Sequence, residues 1–308
     1  MSETPFPPLI ALIGPTGVGK TALAIALAQA LDGEIVGADS RQIYRHMEIG
    51  TAKPTLAERR AVPHHLVDII APDDDFSLAA YQELATAALA DITARGKIPL
   101  LVGGTGQYLQ AVLEGWQVPR VAPDPALRAA LEAEAALVGL PVLFARLQAI
   151  DPVAATIIAP TNMRRIIRAL EVHALTGIPI TAQQGKAPPP YRMLTLWLDL
   201  PRDLLYRRLD ERVDGMLVAG LVDEVRALLA RGYDWALPAM SSLGYREWQP
   251  LWTGEATLAA CTERLKFNTH NFVRKQISWF RRLADVQPLV ADETALPQAL
   301  ALIKQLGV

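Results

Sequence analysis

Cysteine is almost missing: Cys261 is the only one in 308 residues. An internal disulfide and a Cys-rich zinc site are therefore excluded, and the chain suits a reducing compartment. Aromatic residues are scarce at 6% while Ala and Leu abound, which favours helices over a β-sandwich. An excess of one charge is lacking too: 30 Lys and Arg stand against 32 Asp and Glu, a net charge of −2. That excludes a nucleic-acid coat over the whole surface, so any such surface is local. No apolar run approaches the length of a membrane span. Residues 1–8 carry neither the basic start nor the apolar centre of a leader. There is no internal repeat and no low-complexity segment. The expectation is a soluble, monomeric, cytoplasmic protein.

One strong local pattern is present. Gly14-Pro15-Thr16-Gly17-Val18-Gly19-Lys20-Thr21 fits G-x-x-x-x-G-K-[ST], the phosphate-cradling loop. Residues 9–13 before it form a short apolar run expected as a buried strand, and residues 20–31 after it an Ala/Leu-rich helix. The glycines permit a tight turn whose amides aim inward, and the helix start adds the positive end of a dipole. Lys20 is in reach of outer phosphates, and the Thr21 hydroxyl is placed for a magnesium ion.

A second strand is expected over 34–38, ending in Asp39-Ser40-Arg41-Gln42. Open α/β sheets hold ligands just past the carboxyl ends of their strands, so Asp39 should face the same crevice as the phosphate loop. An Asp there also commonly caps the next turn. Residues 50–54 make a loop with one cation, Lys53. His64 and His65 precede a third strand expected at 66–70. Neighbouring strand residues point to opposite faces, so a shared metal is not expected. Ser77 reads as the cap of a helix stopped by Gly96. A fourth strand, 98–102, ends in Gly103-Gly104-Thr105-Gly106, a second glycine turn that sets amides and the Thr105 hydroxyl over the crevice.

Residues 123–190 read as helices at 124–138, 142–150, 153–158 and 162–175, with no strand, closing on the stiff linker Ala187-Pro188-Pro189-Pro190. A block of that length is too long for a crossover and reads as a helical insertion over the crevice. Arg164, Arg165 and Arg168 share helical spacing, with Arg128 on an earlier helix. Their forks suit phosphates and bases as well as a solvated face. A strand resumes at 193–200. A helix from Pro201 carries Arg207, Arg208 and Arg212 and stops before Asp214-Gly215. A long helix at 257–282 interleaves cations, Arg274 and Lys275 among them, with Phe267, Phe272, Trp279 and Phe280. The cations suit nucleic acid, and the aromatics read as core. Residues 285–308 form a tail with a final helix. The fold expected is α/β: a P-loop NTPase-like parallel sheet flanked by helices, formed by 1–120 and 191–308, with a helical insertion domain at 121–190.

Two chemistries remain open on these residues. One is a kinase moving a phosphoryl group to a hydroxyl near Asp39. The other is a transferase with diphosphate as leaving group and Asp39 as proton acceptor. The arginines of the insertion favour a large polyanionic acceptor.

Over nearly its whole length, and in the same order, the chain resembles the bacterial tRNA dimethylallyltransferases, or tRNA isopentenyltransferases. The matching stretches are residues 14–21, Asp39-Ser40-Arg41-Gln42-Ile43-Tyr44, Gly50-Thr51-Ala52-Lys53-Pro54, Pro63-His64-His65-Leu66 and Leu101-Val102-Gly103-Gly104-Thr105. They continue with Arg168-Ala169-Leu170-Glu171-Val172, Gly244-Tyr245-Arg246-Glu247 and Gln276-Ile277-Ser278-Trp279-Phe280-Arg281. Thr269-His270 stands where the family often has Thr-Arg, and Arg274-Lys275-Gln276 where it often has Lys-Arg-Gln.

The resemblance implies transfer of a dimethylallyl group from dimethylallyl diphosphate to N6 of adenosine 37, beside the tRNA anticodon. Asp39 would take the N6 proton, and Thr105 would help position the reactants. Gly14, Pro15, Thr16, Gly17, Val18, Gly19, Lys20, Thr21 and Arg212 would hold the diphosphate, with Mg2+ on Thr21. The anticodon stem-loop would be gripped by Asp39, Ser40, Arg41, Gln42, Thr105 and Arg128, and by Arg164, Arg165, Ile166, Ile167 and Arg168. Ser242, Gly244, Tyr245, Arg246, Arg274, Lys275 and Gln276 complete that set. The runner-up within the resemblance is an adenylate isopentenyltransferase acting on free nucleotides; the helical insertion argues against it.

Overall fold

The structure, a computed structural model, describes residues 6–307. Most of residues 1–8, and Val308 of the tail, lie outside the described residues.

In chain order the elements are β1 (Pro8–Ile13), α1 (Lys20–Leu31), β2 (Gly33–Ala38), α2 (Leu56–Ala61), β3 (His64–His65), α3 (Leu78–Ala94), β4 (Ile98–Gly103) and α4 (Gly106–Leu113). Then come β5 (Trp116–Gln117), α5 (Pro125–Val138), α6 (Leu140–Ile150), α7 (Pro152–Ile157), α8 (Met163–Thr176) and β6 (Gly185–Lys186). The chain closes with β7 (Arg192–Asp199), α9 (Arg202–Val218), α10 (Leu221–Ala230), α11 (Gln249–Trp252), α12 (Leu258–Phe280), β8 (Val286–Val290) and α13 (Ala295–Gln305). It divides into two compact units, one of residues up to Leu113 and from Pro190 onward, the other Glu114–Pro189.

The first unit is built on a six-stranded sheet in the order β3-β2-β4-β1-β7-β8, every pairing parallel. β1 is central and apolar throughout, as a strand covered on both faces must be. Its alternate residues feed two cores. Ile10 and Leu12 join Leu27 of α1, Leu205 of α9 and Ile303 of α13. Leu9, Ala11 and Ile13 join Tyr81 of α3, Leu109 of α4 and Phe280 of α12. A third core lies under residues 43–49, where Tyr44 and Met47 pack with Leu221, Tyr245 and Trp248.

Three segments differ from the sequence expectation. Leu66 and Asp68 have φ of 61° and 59°, so residues 66–70 cannot run extended; the third strand is His64–His65 alone. Val286–Val290 joins the sheet although Pro288 interrupts it; it lies at the edge, where a missing N–H is tolerated. α9 continues through Gly215 to Val218.

The second unit has its own core, in which Leu131, Leu143, Leu147, Ile166, Ile167 and Leu170 meet. Side-chain caps start three of its helices: Asp124 before α5, Asp151 before α7 and Asn162 before α8. It also contains a ladder where no strand is expected, Trp116 and Gln117 pairing antiparallel with Lys186 and Gly185. A Cβ on Gly115 would lie 1.8 Å from Ala187 O, so only glycine permits this approach.

Candidate active site

The carboxyl ends of β1, β2 and β4 open on one cavity of about 990 Å³, lined in part by Thr16, Asp39, Thr105 and Arg212. Its other walls are α9, with Leu209, Val213 and Met216, and α12, with Leu265, Phe272, Gln276 and Trp279. These positions recur at three, four and seven residues, the spacing of one helix face.

The phosphate loop leaves β1 through Gly14, and its backbone requires the glycines. Gly17 and Gly19 have φ of 78° and 105°, the left-handed region. A Cβ on Gly14 would stand 2.4 Å from Leu198 O. Lys20 folds back so that Nζ donates to Pro15 O at 2.8 Å. Burial lowers its pKa to about 8, with Asp39 opposing and Arg212 adding to the fall. Thr21, in the first turn of α1, is half-buried. Among the described residues no cluster of three or more His, Cys, Asp or Glu could cage a metal.

Asp39 follows β2 directly. Its Oδ1 accepts the amides of Arg41 at 2.8 Å and Gln42 at 3.4 Å, so the carboxylate does cap the next turn. It also borders the cavity, and its field acts on both Lys20 and Arg212. Thr105 Oγ1 accepts the Ser40 amide at 3.0 Å, while Thr105 N donates to Ala38 O at 3.1 Å. These bonds tie the β4 turn to the β2 turn on either side of Asp39. Arg212 Nη1 donates to Thr16 Oγ1 at 3.3 Å.

The loop at 48–53 is locked from two sides. The Glu224 carboxylate accepts the amides of Glu48, Ile49 and Gly50 at 2.8–3.0 Å, and the Tyr245 hydroxyl at 2.7 Å. The side chain of Lys53 is fully buried among Tyr44 O, Glu48 and Asp68, so this cation is structural. His65 and Arg95 hold Glu34, the Arg95 guanidinium above all drawing the Glu34 pKa down to about 2.

Several residues that the resemblance assigns to tRNA have other surroundings. Ser40, Arg41, Gly244, Arg246, Arg274 and Lys275 do border the cavity. Tyr245 and Ser242 are core residues, 0% and 1% exposed, and Ser241 faces the cavity instead. Gln42 Nε2 is held by Thr51 O and Ala52 O. In the second unit Ile166 and Ile167 are core, on the apolar stripe of α8. Arg128 and Arg168 both bind the fully buried Glu171, so they build the unit as ion pairs. Only Arg164 and Arg165 of that set are exposed.

On α12 the residues expected at the site, Arg274, Lys275 and Gln276, do border the cavity, but the apolar part of that wall was not expected. Phe272 is 39% exposed and borders the cavity, and Phe267 is 63% exposed, against the expectation that these aromatics are core. Trp279 borders the cavity as well. The regular spacing of Leu265, Phe272, Gln276 and Trp279 is the signal that could have found this wall.

The model of the family described as IPP transferase matches residues 42–283, and that described as isopentenyl transferase matches residues 7–67. The tRNA dimethylallyltransferase of Roseiflexus castenholzii is 62% identical over 299 residues, covering 97% of this chain and 98% of its own. Among solved structures, the tRNA isopentenylpyrophosphate transferase of Bacillus halodurans is 39% identical with a TM-score of 0.71, covering 97% of this chain and 94% of its own. A eukaryotic dimethylallyltransferase acting on tRNA is 29% identical with a TM-score of 0.83, covering 97% of this chain and 79% of its own.

Proposed function

The chain belongs to the IPP transferase family and is a tRNA-prenylating enzyme, and we propose that it moves a dimethylallyl group from dimethylallyl diphosphate to N6 of adenosine 37 in the anticodon stem-loop. The observation that carries this reading is one cavity bordered by a carboxylate, Asp39, and an arginine, Arg212, beside the phosphate loop.

The loop amides, the start of α1, Lys20 and Arg212 suit the diphosphate. As the allylic carbon parts from the diphosphate oxygen, negative charge grows on that oxygen, and fixed donors and cations stabilise it without reorganising. Thr21 would hold a magnesium ion together with the diphosphate oxygens. The lack of a carboxylate cage among the described residues fits an ion carried in by phosphates. When bound, that ion neutralises part of the leaving charge. Leu209, Val213, Met216 and Leu265 supply an apolar wall for the prenyl group.

Adenosine 37 must leave its stack to enter the cavity. A carboxylate is far too weak a base to deprotonate its amine in advance. Asp39 instead accepts a hydrogen bond from N6 and takes the proton as the carbon–nitrogen bond forms. Its Oδ1 is held by backbone amides, which leaves the second oxygen for this task. Thr105 acts on Asp39 through the Ser40 amide. Arg41, Arg246, Arg274 and Lys275 at the cavity, and Arg164 and Arg165 on α8, are the cations offered to the RNA backbone. No described helix is long and apolar enough to cross a membrane.

Site mapping tests the acceptor. A transcript with guanosine at position 37 should accept no prenyl group, while the unaltered transcript accepts one. A prenyl group on any other adenosine would reassign the acceptor.

A further inference from the structure

Gln276 lies in the basic stretch of α12, yet it is only 6% exposed. Its carboxamide spans two loops. Oε1 accepts the Thr16 amide at 3.0 Å, and Nε2 donates to Gly104 O at 2.9 Å. Thr16 belongs to the phosphate loop, 260 residues away, and Gly104 to the β4 turn, 172 residues away. One helix turn on, Trp279 packs on the same turn: a Cβ on Gly106 would fall 2.1 Å from its ring. Thr105 is thereby fixed from both sides, and its Oγ1 fixes Ser40, the neighbour of Asp39.

Three hydrogen bonds, joined through the Gly104–Thr105 peptide bond, therefore link Thr16 through Gln276 to Ser40. A carboxamide serves the centre of this link, where a carboxylate or a cation would not. The Thr16 N–H needs an acceptor and the Gly104 carbonyl needs a donor; a carboxylate offers acceptors alone, and Lys or Arg offers donors alone. The two backbone partners also settle which end of the amide is oxygen. Gly104 fits for the same reason, since a Cβ there would lie 2.5 Å from Gln276 Nε2.

We infer that Gln276 is a positioning residue that holds the diphosphate loop and the base-bearing turns in register, and is not an RNA contact. This rests on the prenyl-transfer reading above. The allylic carbon must meet N6 as it leaves the diphosphate, and misplacement on the scale of an ångström costs of the order of 100-fold in rate. Loss of register gives the carbon to water: the bond to diphosphate breaks, a bond to water oxygen forms, and the water proton is released. Dimethylallyl alcohol and diphosphate are then the products.

The test compares the full-length protein with Gln276→Glu and Gln276→Ala, supplying magnesium, dimethylallyl diphosphate and unmodified tRNA. Diphosphate released and prenyl-adenosine formed are counted in the same reaction. The unaltered enzyme should give one for one. Gln276→Glu keeps the acceptor for Thr16 but sets oxygen against the Gly104 carbonyl. It should lower kcat about 10- to 100-fold, with both KM values within about threefold, and release more diphosphate than it prenylates. Gln276→Ala should do the same more strongly; if it does not fold, Gln276→Glu decides. A one-to-one ratio with a raised KM for tRNA, or unchanged kinetics, would overturn the inference. An unaltered enzyme that prenylates no tRNA would instead overturn the reading beneath it.

Discussion

Arg212 and Thr16 meet across 196 residues of sequence, the guanidinium donating to the threonine hydroxyl at 3.3 Å. The contact brings a cation of α9 to the phosphate loop, with Asp39 close enough to act on its charge. Arg212→Ala should lower kcat/KM for the donor by roughly 100- to 1000-fold, as loss of one fixed donor to a growing anion does. Arg212→Lys should recover part of it. Steady-state kinetics decide, and a loss below about fivefold would remove Arg212 from the leaving-group site.

Asp39→Asn keeps an oxygen for the Arg41 amide and removes the proton acceptor. Turnover should fall by roughly 100- to 10,000-fold, while inorganic diphosphate with magnesium binds as before. Weaker diphosphate binding at unchanged turnover would contradict the base assignment.

Lys20 introduces a pH dependence. Burial sets its pKa at about 8, so the ammonium is charged below that pH and neutral above it. The donor kcat/KM should be level below about pH 8 and fall by up to about tenfold per unit above it. Lys20→Arg, which does not titrate there, should lose that limb. For stability the sign is opposite. The ordinary value is 10.5, so between about 8 and 10.5 the unfolded chain holds more protons at this site, and its contribution to stability rises with pH.

On α8, Arg164→Glu with Arg165→Glu should weaken tRNA binding and flatten its salt dependence by one or two counterions. Both residues are exposed, so the fold should be unaffected. Glu171→Ala should act differently, leaving Arg128 and Arg168 without their buried partner and costing about 3 kcal/mol. Unchanged tRNA affinity in the α8 double variant would make that face ordinary solvated helix.

Gly215 sits inside α9 with nothing within 4 Å of where a Cβ would stand. Gly215→Ala should therefore raise stability by about 0.5–1 kcal/mol, seen as a higher midpoint in denaturant at unchanged slope.

What was legible in the sequence was local. The phosphate loop, α1 and the turn after β2 each announce themselves within a dozen residues, because their chemistry depends on contiguous backbone. Asp39 followed from its place at a strand end. The roles of Gln276 and Glu224 did not, since both act on loops far away in sequence, and nothing near Arg274-Lys275-Gln276 distinguishes an inward amide from an RNA contact. Ile166 and Ile167 were drawn in by neighbouring arginines, although with Leu170 they have the three-and-four spacing of a buried stripe. β3 and β8 failed for opposite reasons. An apolar run at 66–70 is broken by left-handed backbone, and a proline-bearing run at 286–290 is allowed at an edge.

The central claim is tested most directly by mass analysis of nucleosides after incubation with magnesium, dimethylallyl diphosphate and unmodified tRNA, with AMP and ATP as parallel acceptors. The account predicts one isopentenyl group on tRNA adenosine, matched by one diphosphate released, and none on the free nucleotides. Prenylation of AMP or ATP, or ATP turnover with no prenylated product, would contradict it.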